Sequence, residues 1–279
     1  MARKQGCVQG GDHVIVTGGS SGIGFAIAQK CISRGAVVSL LARGEERLSA
    51  AAEELRAAGG EVHFRAVDVT VTEDVAQAVK DLEAQAGPCQ LLVSSAGQAR
   101  PGRFLELTDD VFRSMMDVDY FGTLWAVRAV APGMVERGRG TIVTIASTAG
   151  LAGVFGYTAY GSAKFAVRGF TEALRMELAP HGVQVTGVFP PDVDTPQLAE
   201  ENSWKPVETS AITGAIKPLK PQAVADGVMR GLDRGRPLVF LDNTSRILAT
   251  WGGAMGPLLR RFMDGKVRSA QRTSGTGRS

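Results

Sequence analysis

Runs rich in Val and Ile alternate with helical patterns along this chain, an alternation that predicts a parallel sheet covered on both faces. HVIVTGG at 13–19 reads as a buried strand ending in glycine. In IGFAIAQKCISRG (23–35), Ile23, Ile27, Cys31 and Ile32 share one helical stripe that stops at Gly35. AVVSLLAR (36–43) is a second strand, EERLSAAAEELRAAG (45–59) a helix and EVHFRAVDV (61–69) a third strand, which completes a βαβαβ unit. A helix over 72–86, with Thr72 as its expected N-cap, leads to the strand QLLVSSAG (90–97). A long helix over 109–136, the strand GTIVTIAS (140–147), a helix over 162–178 and the strand VQVTGVFP (183–190) follow, with LVFLD (238–242) as a candidate seventh strand. The pattern predicts one α/β, doubly wound domain over about 1–245, followed by an apolar segment and basic tail over 246–279.

The segment 191–222, rich in Pro, Glu and Thr, interrupts the alternation just after the sixth strand. Ligands of open α/β sheets bind outside the carboxyl ends of the strands, so this insertion is a candidate substrate lid, the plain alternative being a surface excursion. Composition narrows the picture. A chain of 279 residues that is 44% hydrophobic and 21% charged has enough apolar surface for one sizeable core, which excludes a disordered protein. Cys7, Cys31 and Cys89 are odd in number and widely spaced, so neither a disulfide framework nor a thiolate metal site is expected, and a reducing, cytoplasmic compartment fits. His13, His63 and His181 lack the spacing of a zinc helix, and no metal is expected. The net charge of +3 hints at an anionic partner, but residues 260–279 hold six cations against Asp264, leaving −2 for the preceding 259. The catalytic region is therefore mildly acidic, and no nucleic-acid partner is expected.

TGGSSGIG at 17–24 follows a strand and opens a helix, the context in which a glycine pattern binds a dinucleotide. Gly18, Gly22 and Gly24 allow a sharp turn, close approach to a pyrophosphate and tight helix packing, the helix N-terminus at Ile23 adds its N–H groups and dipole, and Ser20 and Ser21 are candidate further donors to a 2′-phosphate. At the end of the second strand stand Ala42 and Arg43 rather than an acid, and Arg47 follows, which favours NADPH over NADH. Glu45 and Glu46 argue the other way, although a first helical turn prefers acids anyway. Asp68 and Val69 end the third strand, where Asp68 is placed to meet the adenine amino group or simply to cap a turn. Ser147 ends the fifth strand, and Tyr160 and Lys164 follow in YGSAK, at the i and i+4 positions that share one helical face. Tyrosine, with an ordinary pKa near 10, needs help to transfer a proton at neutral pH, and a nearby ammonium supplies it.

The glycine turn, the serine strand and YGSAK, in this order, resemble the short-chain dehydrogenase/reductase family over about residues 12–240. The resemblance implies a seven-stranded Rossmann-type sheet and assembly into dimers or tetramers. It implies carbonyl positioning by Ser147, proton transfer by Tyr160, and for Lys164 both pKa lowering and ribose binding. Two departures stand out. Ser94, Ser95, Ala96 and Gly97 replace the family's NNAG, which keeps backbone contacts from Ala96 and Gly97 to the cofactor but removes side-chain amides that brace the strand. Asp119 in MDVDYFG replaces the family's fourth catalytic member, an asparagine, and puts a carboxylate near Lys164, so an altered pH profile or reduced efficiency is expected rather than inactivity.

Within the family, FGYTAYGSAKFAVRGFTEALRMEL (155–178), FPPDVDTPQLAEEN (189–202) and KPVET (205–209) resemble the branch that reduces the 3-keto group of a long-chain amino ketone with NADPH in sphingolipid synthesis. Pro190, Pro191 and Asp192 stand where most relatives have Pro-Gly. Such a substrate needs an acid for its ammonium, for which Asp192, Asp194, Glu200 and Glu201 are candidates or else solvated loop acids. It also needs an apolar channel, for which Leu151, Val154 and Phe155 are candidates or else core. ILATWGGAMGPLL (247–259) carries no charge and is followed at once by cations. It suits peripheral contact through 247–272 with the cytoplasmic face of a membrane, or else a subunit interface. The competing readings are a reductase of another ketone, such as a steroid, polyketide or 3-oxoacyl group, and a noncatalytic dinucleotide sensor, against which Tyr160 and Lys164 both stand.

Overall fold

The predicted alternation takes shape, in a computed structural model that describes residues 8–214 and 217–273, as β1 (His13–Thr17), α1 (Gly22–Ile32), β2 (Val37–Ala42), α2 (Glu45–Ala57), β3 (Val62–Ala66), α3 (Thr72–Ala86) and β4 (Cys89–Ser94). There follow α4 (Asp109–Met115), a π-helical stretch over Met116–Phe121, α5 (Gly122–Glu136), β5 (Gly140–Ile145), α6 (Thr158–Leu178) and β6 (Val183–Phe189). The chain continues through α7 (Pro196–Asn202), α8 (Val207–Thr213), α9 (Pro221–Asp233), β7 (Leu238–Phe240) and α10 (Asn243–Thr273). Cys7 and Arg278 lie outside the described residues.

All seven strands run parallel in the order β3-β2-β1-β4-β5-β6-β7. Successive strand residues face opposite layers, as the two-residue period requires. Val14 and Val16 pack with Val38, Leu40, Ile27 and Val228 on one face, while Ile15 packs with Leu92, Ile142 and Leu82 on the other. Burial on both faces explains why these strands read as continuous apolar runs. The strand order reverses between β1 and β4, so the loops at their carboxyl ends diverge and leave a crevice.

Several boundaries differ from the sequence expectation. The strands are shorter because their last residues form the crevice loops: Gly18, for example, turns at φ 66°. Thr72 is the first helical residue and not the N-cap; Val71 holds that position without a side-chain cap, and Glu73 and Asp74 complement the helix dipole instead. The helix expected over 109–136 is interrupted by the π-helical stretch, which shifts the register of the side chains beyond it. The helix expected from Ser162 begins at Thr158, so Tyr160 lies in its first turn. The apolar segment 247–259 is part of the 31-residue α10.

Candidate active site

The loops after β1, β2, β3, β4, β5 and β6 surround one cleft of about 610 Å³. At Gly18 a Cβ would lie 2.7 Å from the Ser95 carbonyl oxygen and 2.8 Å from the Ala96 nitrogen, so only glycine lets the β1–α1 turn pass against the β4 loop. The Oγ1 of Thr17 accepts from the Ser95 and Ala96 amides, each at 3.1 Å, and holds that loop in place. Gly18, Ser20, Ser21, Gly22 and Ile23 line the cleft at the start of α1. Gly24 does not; a Cβ there would lie 2.5 Å from the Gly18 carbonyl oxygen, which makes it the packing residue of the turn. Arg43 and Arg47 line the cleft, whereas Glu45 and Glu46 are not part of its wall. Asp68 and Val69 line it too, and Asp68 also fulfils its plain role: its Oδ1 accepts from the Thr70 amide at 2.9 Å and the Thr70 hydroxyl at 2.8 Å. Ala96 and Gly97 close this end.

The strand-bracing amides expected to be lost at 94–95 are replaced. The Ser94 hydroxyl donates to Thr123 Oγ1 at 3.1 Å, and Thr123 donates to the Asp119 carbonyl at 2.8 Å, all within the core. This hydroxyl chain ties β4 to the π-helical stretch that carries Asp119.

Ser147, Tyr160 and Lys164 meet at the centre of the cleft. Ser147 follows β5, and its Oγ accepts from the Ala149 amide at 3.1 Å beside the Tyr160 phenol. Lys164 is buried; its Nζ donates to the Ile145 carbonyl at 3.2 Å and reaches Asp119 Oδ1 at 3.1 Å, 5.7 Å from the centroid of the Tyr160 ring. Asp119 lies behind Lys164 and does not line the cleft. The Gln98 amide also donates to its Oδ1, at 3.1 Å, while Oδ2 is buried without a partner. Burial pushes the Asp119 carboxyl above the ordinary carboxylate range, against the pull of Lys164 and the Gln98 amide. Burial also pushes the Tyr160 phenol well above its ordinary value, and the negative charges of Asp119, Glu201 and Asp192 push it further, while the neighbouring Ser147 hydroxyl pulls it down. The charge of Lys164 is engaged by Asp119, so this site holds the phenol protonated.

Beyond the reacting residues the wall comes from the lid segment and α10. Thr195 caps α7 by accepting from the Leu198 amide at 3.2 Å, and its methyl group would lie 3.1 Å from a Cβ at Gly22, so the segment after β6 touches the glycine turn. Of the four candidate acids, Asp192 and Glu201 line the cleft; Asp194 pairs with Lys220 at the surface and Glu200 is exposed. Of the three candidate channel residues, only Val154 lines the cleft. Leu151 packs in the core with Val167 and Phe189, and Phe155 turns its carbonyl to the Thr209 hydroxyl. The apolar wall is built instead from Leu198 and Ile212 of the lid and from Leu248, Leu259, Phe262 and Met263 of α10. The sequence signal for the last group was helical spacing, since 248, 259 and 263 fall on one face. Glu208 of α8 holds α10 there by accepting from Gln271 at 3.3 Å while pairing with Arg103 at 3.1 Å.

A family model described as short chain dehydrogenase matches residues 12–206, and the chain belongs to that family. It is 39% identical over 255 residues to the mouse 3-ketodihydrosphingosine reductase, covering 89% of this chain and 76% of that one. It is 42% identical over 230 residues to a zebrafish 3-dehydrosphinganine reductase, covering 81% and 69% of the two chains. A solved actinorhodin polyketide ketoreductase with NADPH aligns with a TM-score of 0.76 at 32% identity, over 86% of this chain and 97% of that one. The family resemblance read from the motifs is borne out, as is the seven-stranded parallel sheet.

Proposed function

We propose that this chain uses NADPH to reduce the ketone of a long-chain amino ketone, 3-ketodihydrosphingosine, to the alcohol, as the mouse and zebrafish relatives are named for doing. One observation carries the reading: a single cleft joins the glycine turn and Arg43 at one end, Ser147 and Tyr160 at the centre, and an apolar wall from the lid and α10 beyond.

The residues present fit NADPH. The turn at Gly18 leaves no room for a side chain, and the end of β2 offers Arg43 and Arg47 to the cleft while Glu45 and Glu46 stay out of its wall. Gly18, Ser20, Ser21, Gly22 and Ile23 would hold the pyrophosphate, Arg43 and Arg47 the 2′-phosphate, Asp68 and Val69 the adenine, Ala96 and Gly97 the neighbouring backbone contacts, and Tyr160 and Lys164 the ribose. When bound, NADPH supplies the hydride. The Ser147 oxygen accepts from the Ala149 amide, which leaves its own hydrogen to donate to the substrate carbonyl. Tyr160 gives its proton to the developing alkoxide, and its raised pKa keeps that proton in place at neutral pH. Lys164 and Asp119 hold each other beneath the ring and fix where the phenol stands.

NADPH consumption with a long-chain 3-keto-2-amine tests the reading, and turnover of that ketone is expected. Absence of turnover with this ketone, alongside turnover of a steroid, polyketide or 3-oxoacyl ketone, would overturn it. The cofactor preference has its own test. Arg43→Ala is expected to raise KM for NADPH by about 10- to 100-fold, the worth of a charge-assisted contact, while KM for NADH stays within about twofold. An equal rise for both cofactors would remove Arg43 from the 2′-phosphate site.

The reductase proper then spans about 1–245, with 191–222 as lid, and the segment from 246 both walls the cleft through α10 and governs location. Among the described residues no helix is long and apolar enough to cross a membrane. Yet Ile247, Trp251, Met255, Leu258 and Phe262 follow one another at helical spacing along α10 and are 44–69% exposed. Arg260, Arg261 and Arg268 follow on the same helix. Apolar side chains next to cations suit peripheral contact with anionic lipid on the cytoplasmic face. The same stretch lines the substrate cleft through Leu259 and Phe262, which places the lipid surface beside the entry of an apolar tail. The protein is expected to sediment with vesicles containing phosphatidylserine, and Trp251→Ser to lose most of that binding. Full retention by the variant would remove this face as the contact.

A further inference from the structure

The geometry points to Asp192 and Glu201, held about Lys205, as the subsite that takes the ammonium group on the carbon next to the substrate ketone. This deepens the function proposed above and rests on it. The chain leaves β6 through Pro190 and Pro191, and the backbone at Asp192 is then fixed from outside. The Leu219 amide donates to the Asp192 carbonyl and the Asp194 amide to the Leu219 carbonyl, both at 2.9 Å, closing a bridge at Val193. The Asp192 side chain is therefore presented to the cleft from a rigid support, as a binding residue needs.

Lys205 reaches Asp192 Oδ2 and Glu201 Oε1, each at 3.1 Å, and the Tyr157 phenol donates to the same Glu201 oxygen. The Lys205 side chain is 6% exposed and that of Glu201 9%, against 30% for Asp192. Two carboxylates share one ammonium, and burial together with the charge of Asp192 pushes the Glu201 carboxyl up against the pull of Tyr157 and Lys205. A second cation in the cleft would relieve the crowding of the two carboxylates and stabilise the group. Both carboxylates line the cleft, and Asp192 is the more open of the two, Glu201 being held by Tyr157 and Lys205. Asp194 and Glu200 cannot share the role, the first being paired with Lys220 on the surface and the second exposed.

The subsite is also at the right place. The Tyr157 ring packs edge-on against the Tyr160 ring at 5.4 Å between centroids, so the carboxylate cluster lies one ring from the reacting phenol. Both carboxylates act on that phenol, each helping to hold its proton. A cation one carbon from a carbonyl whose oxygen meets Tyr160 would fall between the phenol and Asp192. Its charge would offset theirs and ease departure of the proton. Recognition and proton transfer would then be coupled, and an amino ketone would be preferred over a plain ketone of the same length.

The test compares kcat/KM for a long-chain 3-keto-2-amine with that for the same ketone lacking the amine and for its N-acetyl derivative, in wild type and Asp192→Asn. NADPH binding serves as the check that the variant is folded. Wild type is expected to favour the free amine by about 10- to 100-fold, the range of a hydrogen bond to a charged group. Asp192→Asn should erase that preference, bringing the ratio of kcat/KM for the amine to that for either neutral ketone to within about twofold of one, whatever the variant does to all three together. Glu201→Gln should act in the same direction. An equal loss on all three ketones would mark Asp192 as merely structural, and unchanged preference would remove the subsite. Equal turnover of all three ketones by wild type would also defeat the subsite while leaving the reductase reading intact. Failure of wild type to turn over any of them would defeat the proposed function itself.

Discussion

Tyr160→Phe is expected to lower kcat for ketone reduction by about 10²- to 10⁴-fold, the usual contribution of a positioned proton donor. The ring should stay where it is, because its place is set by packing. It sits in the first turn of α6, against Tyr157 on one side and beside the buried cluster of Met115, Ala159 and Ala163 on the other. Only the hydroxyl goes, and with it the proton for the alkoxide. Ser147 keeps its bond from the Ala149 amide and can still orient the carbonyl, so KM for the ketone should move little. NADPH affinity should fall by less than about tenfold, since at most one hydrogen bond to the ribose is lost. Single-turnover measurements at saturating NADPH and calorimetric titration of the cofactor separate the two effects. A variant that keeps more than a tenth of wild-type kcat would show that another group delivers the proton.

Much of this architecture was legible because its signals are local. Val14, Ile15 and Val16 are buried on both faces of the sheet, and such strands announce themselves as unbroken apolar runs. The glycine turn and YGSAK each lie within eight residues of chain, so their geometry follows from strand and helix alone. What sequence could not give is decided by partners far away. Four acids after β6 look alike in sequence; Lys220 takes Asp194 to the surface, and Lys205 with Tyr157 draws Glu201 inward. Leu151, Val154 and Phe155 look like one apolar stretch, but the short helical turn at Thr148–Gly150 sends Leu151 into the core and leaves Val154 facing the cleft. The π-helical stretch leaves no trace in a 3.6-residue period, and it is there that Asp119 meets Lys164. The part played by α10 was half legible. Its apolar spacing was visible, but its seat on the cleft depends on Glu208 reaching Gln271, 63 residues away.

The Asp119–Lys164 contact makes Asp119→Asn the most informative change after Tyr160→Phe. The phenol of Tyr160 is faced by Lys164 on its own helix, Ser147 after β5, Asp119 from the π-helical stretch, Asp192 after β6 and Glu201 on α7. Asp119 is the carboxylate that engages the lysine, so in the wild type burial and negative charge hold the phenol's pKa above its ordinary value. An amide at 119 can still accept from the Gln98 amide and from Lys164, which keeps the fold, but it removes the charge. Lys164 is then free to stabilise the phenolate, and the Tyr160 pKa should fall by about 1–3 units, the usual effect of one close charge. The sign differs between the two directions of reaction. Reduction needs the protonated phenol, so its rate is lost as pH rises through the pKa, and in the variant that loss should begin at lower pH. Oxidation of the alcohol needs the phenolate, so its rate rises through the same pKa, and the variant should oxidise faster than wild type near neutral pH. Wild type would thus be biased toward reduction by the carboxylate at 119. Profiles of kcat/KM against pH in both directions read this out, and a limb moving in both is the expected result. Superimposable profiles would show that Asp119 does not set the phenol's pKa, and a uniform loss at every pH with no moved limb would mark it as a packing residue only.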